Sequence, residues 1–192
     1  MKKTGFVLPP YFFNGEELRG EGIVHSHRTL ADLRGVFADE EAYSRMNPET
    51  EVYRVSSMLP VPEGTSGGIY MGITYISPGR VGNEYFMTKG HFHKNPNSAE
   101  CYWGVKGEGM LILMDSSRKV WAERMLPGSL HYIPAGIAHR VANIGQEELV
   151  FSASWPSDAG HDYETIAREG FACRLLNVNN VPKLIDILIN NN

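Results

Sequence analysis

From Glu51 onward the chain never runs far without a cluster of turn-forming residues: PVPEGTSGG, SPGRVGN, HKNPNSA, KGEG, DSSR and PG interrupt it in succession. Glycine and proline at this density leave no room for long helices, because each weakens or breaks a helix interior. Between the interruptions lie short runs rich in Val, Ile and Tyr, residues that suit a pleated, half-buried surface. Many short strands at such spacing specify an all-β barrel or sandwich. The expected strands are Gly68–Ile76, Tyr85–His93, Glu100–Val105, Gly109–Met114, Lys119–Met125, Ser129–Ile133, His139–Asn143 and Glu148–Trp155.

The flanks read differently. Within Thr29–Met46, Leu30, Leu33 and Phe37 recur at helical spacing with acidic residues between them, and Asn47-Pro48 supplies a stop, so one or two peripheral helices are expected. Asp162–Glu169 reads as a further short helix, whereas Val181–Ile189 is apolar but too short to assign. No internal repeat or Gly/Ser linker divides the chain, and 192 residues suit one domain. We expect a barrel core at about 51–156, an N-terminal extension 1–50 and a C-terminal segment 157–192.

Composition removes several partners. A formal net charge of -4, with Lys and Arg scattered, provides no electrostatic footprint for nucleic acid. No apolar run approaches the ~20 residues that a membrane-spanning helix needs. The start, MKKTGFVLPPYFF, has a pair of lysines but neither a long apolar stretch nor a small-residue cleavage site, which argues for a cytoplasmic protein. Cys101 and Cys173 are too few for a disulfide framework and lack CxxC spacing, so both are expected as free thiols.

His91 and His93 stand two apart on an expected strand, so alternation directs both imidazoles to one face. Glu100 opens the next strand after the turn Lys94–Ala99 and can bring a carboxylate beside them, and His139 can supply a fourth donor. Three imidazoles and a carboxylate suit a borderline divalent ion such as iron(II), manganese, nickel or zinc. Taken alone, the pair is equally compatible with a partly exposed His-x-His on a sheet without metal.

The context is more specific. GSLHYIPAGIAHRVAN, from Gly128 to Asn143, satisfies G-x5-P-x-G-x2-H-x3-N at each fixed position, which is the second motif of the cupins. HFHKNPNSAECYWGVKG meets the first cupin motif through His91, His93, Glu100 and Gly107, with a longer loop before Glu100 and with Tyr85 in place of the leading glycine. YFMTKGHFHKNPNSAECY, IPAGIAHRVANIG and SDAGHDYETIAREGF together resemble the cupin-type glucose-6-phosphate isomerases of archaea and some bacteria, from about Tyr53 to Phe171.

The resemblance implies a double-stranded β-helix, or jelly-roll barrel, with peripheral N-terminal and C-terminal helical segments. It implies a metal-dependent aldose–ketose isomerase that interconverts glucose 6-phosphate and fructose 6-phosphate in glycolysis and gluconeogenesis. The metal, iron(II) first with manganese, nickel or zinc as alternatives, would be held by His91, His93, Glu100 and His139. Glu100 is either a ligand alone or also the base that carries the proton between C2 and C1. The phosphate would meet Thr88 and the backbone of Gly90, with Tyr53 and Thr74 as further contacts, and His161 and Tyr163 would close the pocket. Tyr102, two residues after Glu100, should point its hydroxyl into the barrel toward a sugar hydroxyl. At Trp155 the chain departs from the family's tyrosine, so one hydroxyl contact should be lost. By analogy with the family, a homodimer is expected.

Other features carry less. Gly104, Gly107 and Gly109 mark a hairpin, His25 and His27 repeat the His-x-His pattern near an expected helix without a carboxylate at ligand spacing, and His131 reads as a plain strand residue. A cupin metal-dependent dioxygenase and a non-catalytic sugar-binding cupin are the rival readings. The TKGH and AGHDY segments speak against the former, and the available Glu100 against the latter.

Overall fold

A computed structural model describes residues 7–187. The chain opens with β1 (Tyr11–Phe13), β2 (Leu18–Gly20) and β3 (Val24–Thr29), makes a 3-10 turn at Ala31–Leu33, and forms the short helix α1 (Glu40–Ser44). It continues through β4 (Glu51–Met58), β5 (Ile69–Ile76), β6 (Arg80–Val81), β7 (Glu84–Tyr85), β8 (Glu100–Lys106), β9 (Gly109–Met114) and β10 (Val120–Met125). Then come β11 (Leu130–Ile133), β12 (Ala138–Asn143), β13 (Leu149–Pro156), helix α2 (Tyr163–Glu169), and the hairpin β14 (Cys173–Val178) and β15 (Val181–Asp186).

The larger sheet runs β11-β8-β13-β5-β4-β3, and a smaller one runs β10-β9-β12. Ile76, Ile133 and Phe151 from the first meet Leu111, Leu113 and Val141 from the second in one buried cluster, so the core lies between the two sheets. Each such side chain contributes about 1.5–3 kcal/mol by leaving water. This is the all-β jelly-roll sandwich expected of a cupin. A β15-β14-β7-β6 sheet and a β1-β2 ribbon complete the described residues.

Alternation is plainest on β8, where Glu100, Tyr102 and Gly104 are buried while Cys101 and Trp103 face outward. The carboxylate of Glu100 and the phenol of Tyr102 therefore share the interior. Asn143, which ends the second motif, has a structural task. Its Nδ2 donates to Ile76 O and Glu147 O at 2.8 Å each, and its Oδ1 accepts from Gly145 N at 2.9 Å, pinning the turn after β12.

Several expectations need correction. The N-terminal extension is less helical and more extended than its pattern suggests, since α1 covers only Glu40–Ser44 and β3 adds an edge strand to the larger sheet. β3 has no apolar alternation because most of it is exposed. His25 and His27 lie on this strand, just ahead of the 3-10 turn at Ala31–Leu33. Tyr85–His93 is not a continuous strand: β7 ends at Tyr85, and beyond it only single bridges remain, including His91 to His139 and Phe92 to Asp162. Within this segment Gly90 takes φ +79°, and a Cβ there would lie 2.8 Å from the Phe171 ring. The C-terminal helix stands at Tyr163–Glu169, but the chain then continues into a β-hairpin. Leu188 and Ile189, at the end of the unassigned apolar stretch, lie outside the described residues, as do Lys2 and Lys3. Cys101 and Cys173 are free, and no described helix is long and apolar enough to cross a membrane.

Candidate metal centre

The broken segment still brings its histidines together. His91 N donates to His139 O at 3.2 Å and His139 N to His91 O at 3.0 Å, so the two imidazoles sit side by side with ring centroids 4.4 Å apart. The His93 ring lies 5.6 Å from His91 and 5.3 Å from His139. Glu100 reaches across from the opposite sheet, its Oε2 3.1 Å from His93 Nε2 and 3.0 Å from His139 Nε2. One donor atom from each of His91, His93, Glu100 and His139 lies within 4.8 Å of the others.

The protonation pattern fits a cation. His93 Nδ1 meets Ser98 O at 2.9 Å and His139 Nδ1 meets Ile137 O at 3.0 Å. A carbonyl can only accept, so each Nδ1 carries the proton and each Nε2 turns its lone pair to the centre when neutral. The buried Nε2 atoms of His91 and His139 have no hydrogen-bond partner; the 3.0 Å approach of His139 to Glu100 is off the line of a hydrogen bond. Unpartnered buried nitrogens around a carboxylate are what a divalent ion would satisfy.

Burial, with the adjoining imidazoles of His139, His161 and His93 adding to it, holds His91 well below the usual histidine range. Burial also opposes charge on Glu100, but the contacts from His139 and His93 outweigh it and keep the carboxyl below its ordinary range. For His93 burial is likewise offset, by Glu100 and by the Ser98 carbonyl, and its imidazole is held somewhat high. A bound dication would take the place of that proton.

The cluster opens into a cavity of about 240 Å³. Tyr53, Thr74, Thr88, Gly90, Tyr102, His161 and Tyr163 all line it, beside His91, Glu100 and His139. Val141 N donates to Thr88 Oγ1 at 3.1 Å, which occupies a lone pair and leaves the hydroxyl proton free to donate. Burial pushes the Tyr53 phenol up to about 12 and the Tyr102 phenol well above its usual value, so both remain neutral donors. The paired backbone contacts of Phe92 with Asp162, at 2.8 and 3.3 Å, dock the loop before α2 against the metal ligands. His161 thereby stacks on Tyr163 at 5.5 Å and meets the His91 ring edge at 4.5 Å, and burial lowers its pKa.

Lys89, Ser26 and Ser57 also line the cavity and were not singled out from the sequence. Lys89 was legible, being a cation between Thr88 and Gly90; Ser26 lies on the polar strand β3, and Ser57, on β4, belongs to no motif. Trp155 lines the wall as well, edge-on to Tyr70 at 6.0 Å. His131 is outside the site, buried between Ser129 Oγ at 2.8 Å and Glu123 Oε2 at 2.7 Å.

The family model of glucose-6-phosphate isomerase (GPI) matches residues 27–186. Curated relatives of that name come from Thermococcus kodakarensis, 39% identical over 83% of this chain and 84% of that protein, and from Thermococcus litoralis, 41% identical over 79% and 80%. The Pyrococcus furiosus relative is 39% identical over 86% of this chain and 88% of that protein. Among solved structures, an oxalate decarboxylase from Lactobacillus farciminis overlaps in part, with TM-score 0.46 and 23% identity over 59% of this chain and 31% of that one. The match across residues 27–186 and the identity to these relatives over most of both lengths establish that the chain belongs to the glucose-6-phosphate isomerase family, in its cupin form.

Proposed function

We propose that the chain is a metal-dependent isomerase interconverting glucose 6-phosphate and fructose 6-phosphate, a cytoplasmic enzyme of glycolysis and gluconeogenesis. One observation carries the reading: a single cavity is lined both by the unpartnered imidazoles and carboxylate of the metal group and by the donors Thr88, Lys89 and Gly90. A divalent ion held by His91, His93, Glu100 and His139, iron(II) first and manganese, nickel or zinc otherwise, would act as a Lewis acid on the sugar carbonyl.

The remaining work belongs to the side chains. Thr88 donates its free hydroxyl proton to the phosphate and Lys89 adds charge, while Gly90 offers its backbone N–H. Tyr53 and Thr74 give further contacts from β4 and β5. Glu100, ionised and on the same strand face as Tyr102, is placed to move the proton between C2 and C1, and the neutral Tyr102 phenol to donate to a sugar hydroxyl. His161 and Tyr163 close over the ligand from the α2 side. The unit is a single domain over 1–192 built on the core at 51–156. It pairs as a homodimer, for which the exposed Leu130 and Tyr132 on edge strand β11, beside Trp103, offer an apolar margin that a second copy would cover.

A coupled assay following fructose 6-phosphate tests this. Appearance of glucose 6-phosphate supports the isomerase. Oxygen uptake without isomerisation would instead favour a dioxygenase.

A further inference from the structure

A second cavity, about 400 Å³ in volume, shares the Lys89 wall with the first. Arg140 follows His139 on β12, so alternation sends its side chain to the opposite face from the metal group. There the guanidinium is buried and its direct contacts are neutral, while Glu84 and Arg174 act on it only at longer range. Its Cζ lies 3.8 Å from the Phe171 ring centroid, its Nη1 finds the Met87 sulfur at 3.1 Å, and its buried Nε finds no acceptor. Arg34, Lys89, Arg168 and Arg174 line the same cavity from four other segments, and Glu169 is the one carboxylate among the lining residues.

The nearby carboxylates are committed elsewhere. Glu169 holds Arg168 at 2.7 Å, and Glu84 holds Arg174 at 2.8 Å and accepts from Ala38 N at 2.6 Å. A buried cation with no carboxylate in direct contact is costly, and a concave wall of converging cations is repaid by an anion that fills it. A cavity of this size admits a small ion or metabolite, not a polymer.

We propose that this cavity is a second binding site, for a compact oxyanion such as phosphate or sulfate, seated on Arg140 with Arg34 and Lys89. Arg140 anchors it through donors that the protein leaves without a carboxylate. Lys89 lines both cavities, so the two sites share one cation.

Equilibrium dialysis of the full chain against labelled sulfate tests the site. Arg140→Gln should weaken one class of sulfate sites at least about tenfold, as expected for losing hydrogen bonds to a charged group, and Arg34→Ala up to about fivefold. Binding that survives both substitutions, or none in the parent, overturns the proposal. Displacement of sulfate by orthophosphate alone would identify a free ion, and displacement by glycerol 2-phosphate as well a phosphorylated metabolite; displacement by neither counts against the site. Should Arg140→Gln fail to fold, selenate soaked into parent crystals decides the matter by anomalous scattering. A peak beside Arg140 and Arg34 supports the site, whereas selenate found only against Thr88 and Gly90 contradicts it.

Discussion

The chain contains the pattern His-x-His twice, and the two copies have little else in common. His25 and His27 lie on the exposed edge strand β3, where His25 Nδ1 meets Ser56 Oγ at 3.0 Å, and neither belongs to a metal-ligating group among the described residues. His91 and His93 lie between the sheets, next to a buried carboxylate and a third histidine. The difference is environment: backbone carbonyls fix the Nδ1 proton of His93 and His139, and burial leaves Nε2 atoms unpartnered. Spacing sets which face a pair shares. Burial, tautomer and a neighbouring carboxylate set whether the pair can hold an ion.

Removing one inner histidine should have the largest effect. His93→Ala should reduce metal affinity by more than about 100-fold, since loss of outer-shell partners alone costs about 10–100-fold. His25→Ala should leave metal content unchanged and alter stability by no more than about 0.5 kcal/mol, the usual range for surface positions. Metal analysis of both purified variants checks this; equal losses would erase the distinction between the two pairs.

Glu100→Gln sharpens the comparison by keeping size and an oxygen ligand while removing charge and basicity. If Glu100 is the base, the metal-loaded variant should bind substrate and lose about 10²–10⁴-fold in turnover. Near-parental turnover at full metal occupancy would reduce Glu100 to a ligand. Among the site variants Thr88→Val should have the smallest effect, weakening sugar-phosphate binding by about 1.5–3 kcal/mol with metal content intact. Unchanged binding of 5-phosphoarabinonate, measured by calorimetry, would place the phosphate away from Thr88.

Much of the site was legible because its residues fall in fixed motifs, and the strand Gly109–Met114 reads from the sequence with the bounds it has in the structure. The hidden parts had no local signal. β3 is polar on both faces because it is an exposed edge, so it carries no alternation to read. The need for a glycine at position 90 involves Phe171, far along the chain, which occupies the space of a side chain. Arg140 would be assigned to the surface from its type alone, and only the packing of Phe171 and Met87 around it shows otherwise.

Metal dependence of isomerisation is tested most directly by fructose 6-phosphate conversion by the parent chain after chelation and again after reloading with iron(II) or manganese, with metal content determined in each sample. Activity should disappear with the metal and return in proportion to occupancy. Full activity in a demonstrably metal-free sample would contradict it.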